Sequence, residues 1–187
     1  MYVVLFISRN KDNKDIKGFR PRQKQFLVED PYNCDAEFLQ FVDMGVPGEL
    51  CRYYISLSPR NVENTRKMLA CRLIMDENIN LANLKNLMVS IAMQPENELE
   101  KKWLFDFDCD LIQFAQAFLK DVWEEVGVGA ENAYLHHTLN GFAIEVRHGF
   151  DCRALLEKWN KKLKEINPKY EVTLHRNAML LIRTSIK

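Results

Sequence analysis

The chain has 187 residues and a mass of 22.0 kDa, which suits one compact unit, or a core domain with an appendage, and argues against two full-sized domains. Hydrophobic residues make up 47% and charged residues 28%, enough apolar material for a packed core and too much for global disorder. The 26 basic and 26 acidic residues cancel, so non-specific coating of a polyanion by net charge is excluded and only a local basic groove remains open.

The apolar run Tyr2 to Ile7 is too short for a signal peptide or a membrane span, and it reads as a first strand. From Lys11 to Arg22 the chain is polar, broken by Gly18 and Pro21, and is expected to be a loop. Asp35 is placed to cap a short helix with Phe38, Leu39 and Val42 on one face, ending near Gly45. Cys51 to Ser58 is β-prone and stops at Pro59. Asn61 opens a helix with Val62, Met68, Leu69 and Leu73, and Asn80 opens another with Leu81, Leu84, Leu87, Met88 and Ile91.

Beyond Pro95 the pattern is regular. Trp103 to Cys109 predicts a strand, followed by a helix capped by Asp110 and closed by Gly127, with Phe114, Phe118 and Val122 inward. Ala133 to Thr138 and Gly141 to Arg147 form a hairpin across Asn140-Gly141. Asp151 caps a helix carrying Leu155, Trp159, Leu163 and Ile166, and Tyr170 to His175 and Ala178 to Thr184 make a final pair of strands. The order β-α-β-β-α-β with one extra strand predicts an α+β fold, a split βαβ core of the ferredoxin or RNA-recognition kind. The expected division is an N-terminal strand-and-helices extension over 1–95 and a catalytic-type core over 96–187, packed as one unit. All of residues 103–184 are expected in one sheet, with both core helices on a single face. The five cysteines lack a Cys-x-x-Cys pair and read as reduced thiols of a cytoplasmic protein.

The densest chemistry is Asp106, Asp108 and Asp110. On a strand Asp106 and Asp108 share one face while Phe105 and Phe107 take the other, and burying two carboxylates under helices would be costly, so the aspartates belong on the helix-free face. There they would seat Mg²⁺ or Mn²⁺, hard cations that take oxygen ligands and bridge phosphates. On the neighbouring hairpin strand Glu145 falls on the same face, where it either offers a third metal ligand or pairs with a nearby lysine or arginine. Of His136 and His137, adjacent strand positions point apart, so one at most joins any given site. Arg52, Arg60 and the Lys101-Lys102 pair are candidates to neutralise phosphate.

Three segments, Arg52 to Asn61, Met93 to Asn97 followed by Lys101 to Asp108, and Thr138 to Ile144, resemble the archaeo-eukaryotic primase superfamily, in particular its small phage-type primase-like members. That resemblance implies a metal-dependent nucleotidyltransferase with Asp106 and Asp108 as catalytic metal ligands. Asn140, Gly141, Arg60 and His137 would lie about the nucleotide, whose partner is a nucleotide or single-stranded nucleic acid. It also implies a role in DNA replication, in a host cytoplasm if the chain is phage-encoded, with a replication or host protein as a further partner and no membrane. The chain departs from that pattern twice. Ala143 stands where the family has a strand histidine, and His175-Arg176-Asn177 where it has a late acid, so a non-polymerising descendant fits equally. Three other readings compete: a phage-encoded binder of a host factor, an RNA-recognition module using Phe142 and Ile144 as exposed platforms, and a two-histidine phosphoesterase, for which the sequence supplies only His136-His137-Thr138.

Overall fold

A computed structural model describes residues Met1 to Lys187. The chain is α+β and divides into two compact units, residues 1–99 with 179–187, and residues 100–178. None of its helices is long and apolar enough to cross a membrane.

The first unit is built on a four-stranded antiparallel sheet in the order β2-β1-β3-β8, made of β1 (Tyr2–Ser8), β2 (Arg22–Val28), β3 (Leu50–Ser56) and β8 (Met179–Ile186). The segment Lys11 to Arg22 holds a single helical turn, α1 (Asn10–Asn13), before β2, a strand whose Arg-Gln-Lys-Gln start hides its period. Alternation along β1 decides what lies on each face. Phe6 packs its ring on Phe38 and Phe41 of α2 (Asp35–Asp43) and on Tyr53 of β3, at centroid separations of 5.0–5.9 Å. Val3 points the other way and packs with Val89 and Ala92 of α4 (Leu84–Ala92). Between β3 and α4 runs α3 (Val62–Met75), N-capped by the Asn61 side chain, which accepts from Asn64 N at 3.0 Å. The Asn80 cap is also present, opening a 3₁₀ turn at Leu81–Asn83 that runs into α4.

The second unit contains β4 (Trp103–Asp108), α5 (Ile112–Val126), β5 (Ala133–His137), β6 (Phe142–Val146), α6 (Arg153–Ile166) and β7 (Glu171–Arg176). Its sheet runs β5-β6-β4-β7 with every neighbouring pair antiparallel, so two β-α-β crossovers interleave around the central strands β4 and β6. Both helices lie on one face. Phe105 touches Phe118 of α5 at 5.3 Å, Phe107 touches both Phe118 and Trp159 of α6, and Phe118 meets Trp159 edge-on at 5.6 Å. Trp159 donates Nε1–H to Asp121 Oδ2 at 2.7 Å, which gives the buried indole its one required partner.

Strand pairing and helix capping need correction. The last strand does not extend the sheet of the second unit: β8 pairs with β3 through Tyr54↔Leu181 and Ile55↔Leu180. Two residues, Asn177 at positive φ and Ala178, separate β7 from β8. Asp110 does not cap α5, whose N-cap is Leu111 with no side-chain bond; the Asp110 carboxylate instead accepts from the Tyr170 hydroxyl. Nor are Asp35 and Asp151 the caps of α2 and α6, whose N-caps are Cys34 and Cys152 without side-chain bonds; Asp151 accepts from Arg153 instead.

Candidate functional site

Register places the chemistry of the second unit. Asp106 lies opposite Ala143 on β6 and Thr173 on β7, and Asp108 lies opposite Glu171. With Phe105 and Phe107 both 0% exposed against the helices, the pleat turns Asp106 and Asp108 to the face that neither α5 nor α6 covers, as the cost of burying carboxylates under helices requires. Asp106 is half-buried and Asp108 exposed. The same alternation gives this face Leu104 on β4, Ala143 and Glu145 on β6, Tyr134 and His136 on β5, and Thr173 and His175 on β7. Leu104 and Ala143 are buried; Tyr134, Glu171 and His175 are exposed along the margins.

His137 does not join this group. It faces Phe142 across the hairpin, ring against ring at 5.1 Å, on the side that packs toward the helices, so His136 and not His137 shares a face with Asp106. His136 sits in the same cross-strand row as Asp106, the two flanking the small side chain of Ala143. Its Nε2 is 3.1 Å from Glu145 Oε2, and Lys102 Nζ is 3.0 Å from Glu145 Oε1 and 3.4 Å from Glu100. Burial pushes the Glu145 carboxyl up, but the His136 and Lys102 hydrogen bonds outweigh it and hold the group below the ordinary carboxylate range. Burial likewise opposes the Lys102 charge, and the bond to Glu145 more than compensates, so its ammonium loses its proton at higher pH than usual. Glu145, expected as a third metal ligand, is therefore the centre of a Lys102–Glu145–His136 chain. A cleft of about 380 Å³ adjoins it, with Tyr134, Asn132 and Arg147 also on its wall.

No three His, Cys, Asp or Glu side chains come together in a group that could hold a metal ion, so the Asp106, Asp108 and Glu145 triad does not form a protein-only cage. What remains is a pair of carboxylates two residues apart on one strand, roughly 6.6 Å between Cα atoms. Such a pair suits the way Mg²⁺ is held, by one or two carboxylates with phosphate oxygens and water completing the octahedron.

The Asn140-Gly141 turn lies at the Asp108 end of β4. Thr138 N donates to Gly141 O at 3.0 Å, closing the hairpin. A Cβ on Gly141 would stand 2.3 Å from the Phe107 carbonyl oxygen and 3.1 Å from Cys109 N, so the glycine is demanded by backbone packing against β4. Asn140 is exposed. Arg60, expected near phosphate, belongs to the first unit and has a fully buried side chain. Its guanidinium lies 3.9 Å from Glu98 and makes no hydrogen bond, and burial, opposed by the Glu98 charge, pulls its pKa down. A group so enclosed does not meet a ligand arriving from solvent. Arg52 is similarly engaged, by Asp12 at 2.6 Å.

An RNA-recognition reading requires Phe142 and Ile144 as exposed platforms. Both are buried on the helix side with Val146, which removes the stacking surface that reading needs. A basic partner for Glu145 was open from the sequence and Lys102 fills that place; the His136 arm of the chain is what residue-by-residue reading missed. Its signal was the hairpin register: a four-residue connection from Thr138 to Gly141 pairs His136 with Ala143 and brings Glu145 diagonally beside it. No family model matches the chain, and no curated protein matches it either.

Proposed function

We propose that the helix-free face of the second unit binds nucleotides or single-stranded nucleic acid together with a divalent cation, as a primase-like nucleotidyltransferase or its non-polymerising descendant. The observation that carries this reading is the placement of Asp106 and Asp108 on the one sheet face that no helix of the unit covers. The interleaved βαβ order of strands β4 to β7 supports the primase-like arrangement. Bound Mg²⁺ or Mn²⁺ would supply charge neutralisation for phosphate at these two carboxylates. Asp106 and Asp108 provide its oxygens, the Asn140-Gly141 turn borders the Asp108 end, and His136, fixed through Nε2 by Glu145, presents its ring across Ala143. The commitment of Glu145 to Lys102 and His136 favours the binding descendant over a polymerase, because a third carboxylate is not available. A cytoplasmic setting with no membrane partner accompanies this reading.

Calorimetry with Mn²⁺ and a nucleoside triphosphate tests it. The wild-type chain is expected to bind the pair, and Asp106→Asn with Asp108→Asn to weaken binding at least tenfold; equal binding by both proteins removes the site. Incubation of labelled nucleoside triphosphates with Mn²⁺ and single-stranded DNA or RNA then separates the two forms, since extended product, lost in Asp106→Ala, would identify a polymerising enzyme.

A further inference from the structure

A different surface, on the first unit, stands apart from this reading. In α3 the only buried residue is Thr65, and Ala70 to Met75 are all exposed, with Ile74 at 81% and Met75 at 84%. Asn64, Lys67, Met68, Cys71, Arg72, Met75 and Asp76 line a shallow groove of about 740 Å³ along it. Their spacing of three and four residues is that of a helix seam made to receive a second helix. The apolar members are Met68, Cys71 and Met75, with Ile74 beside them, and a residue set of this kind is rarely left in water without a partner.

We propose that the partner is α3 of a second copy of this chain, docked antiparallel about a two-fold axis passing between Cys71 and Arg72. That axis places Met68 against Met75 of the second copy and Lys67 against Asp76 of the second copy, each contact occurring twice, with Cys71 next to the axis. Charge selects this register. A parallel pairing would oppose Lys67 to Lys67 and Arg72 to Arg72. An antiparallel pairing centred between Leu69 and Ala70 would oppose Lys67 to Arg72 and Glu63 to Asp76. Both set like charges face to face, whereas the axis beside Cys71 pairs Lys67 with Asp76 twice; Arg72 of each copy, also next to that axis, has Asp76 of its own helix as counter-charge at 3.5 Å. Within one helix Lys67 pairs with Glu63 at 3.2 Å and Arg72 with Asp76 at 3.5 Å; all four side chains are largely exposed or rim-like, so exchanging these weak bridges for intermolecular ones costs little. A helix of 14 residues is about 21 Å long, and a seam of that length buries less than a permanent dimer needs, so the association is reversible and micromolar or weaker.

Cys71 is the only exposed cysteine, the other four being buried, which gives the test a clean reporter. Sedimentation velocity on the full chain from low micromolar to submillimolar concentration is expected to show a concentration-dependent dimer. A short bis-maleimide, matched to helix axes about 8–10 Å apart, should trap it, and Cys71→Ser should abolish the trapped species. Met75→Glu, at a fully solvated position, should abolish self-association with the circular dichroism spectrum unchanged. Lys67→Glu and Asp76→Lys should each weaken it several-fold, and the two combined should restore it. A monomer throughout the range with no trapped dimer overturns the proposal and leaves the groove to a different protein. A dimer indifferent to Met75→Glu overturns it as well, by assigning association to another face.

Discussion

Gly141→Ala separates a steric requirement from a ligand-binding one at the turn beside Asp108. The added methyl would lie 2.3 Å from the Phe107 carbonyl oxygen, against an ordinary contact of about 3.4 Å, so the hairpin end or the end of β4 has to move by about 1 Å. Overpacking of this size costs about 1–3 kcal/mol. Replacing glycine also removes unfolded-state freedom, which offsets about 0.4–1 kcal/mol. The expected net loss is about 1–2 kcal/mol, confined to the second unit. All three tryptophans, Trp103, Trp123 and Trp159, belong to that unit, so indole fluorescence during urea denaturation reads its unfolding selectively. The exposed neighbour Asn140→Ala serves as control and should move the midpoint by less than about 0.5 kcal/mol. An unchanged midpoint in Gly141→Ala, with Asn140→Ala also unchanged, would refute the close approach of Gly141 to β4.

Glu145→Gln should destabilise the second unit by about 1–2 kcal/mol at neutral pH, because Lys102 and His136 lose their shared acceptor charge. Since the folded carboxyl sits below its ordinary value of 4.5, its stabilisation is full above that pH and is lost as pH falls through the lower folded value; urea midpoints of wild type and variant should therefore converge in acid, and a gap that persists there would discard the ion-pair assignment. In the first unit Asn13→Ala should speed exchange of the Leu50 amide by more than tenfold and cost about 2 kcal/mol, since Leu50 N donates to Asn13 Oδ1 at 2.6 Å while Asn13 Nδ2 donates to Ser8 Oγ and Leu50 O. Unaltered protection at Leu50 in hydrogen exchange would contradict that network.

The second unit was legible because its helices and strands are amphipathic with clean periods. Phe105 and Phe107 alternate with Asp106 and Asp108, and α5 repeats Ala115, Phe118, Leu119 and Val122 on one stripe, so both the element type and the buried face followed from spacing. The first unit was less so. β2 begins with four polar or charged residues, and half of its pattern only makes sense once β1 lies beside it. The destination of β8 was not written locally at all. Met179 to Ile186 is a strand by composition, but whether it joins β7 or β3 depends on tertiary pairing, and a strand following Arg176-Asn177 reads as a hairpin until the path of the chain is known.

The candidate site shows the same division between what spacing encodes and what packing decides. Asp106 and Asp108 share a face by the two-residue period alone, and no tertiary information was required. Choosing between His136 and His137 required the register of β5 on β6, because adjacent positions point apart and a shift of one residue would exchange them. Arg60 illustrates the opposite error: a basic residue after a strand reads as a phosphate ligand, but the turn that holds it against Glu98 encloses it completely. The charge on the helix-free face then decides how a phosphate could bind. Asp106, Asp108, Glu145 and Glu171 outnumber Lys102 and the neighbouring Arg147, and His136 and His175 add further nitrogen bases, so an unaccompanied triphosphate meets net repulsion there. Nucleotide binding at this face is physically coherent only with a divalent cation between the carboxylates and the phosphates, which makes cation dependence the sharpest criterion for the functional reading.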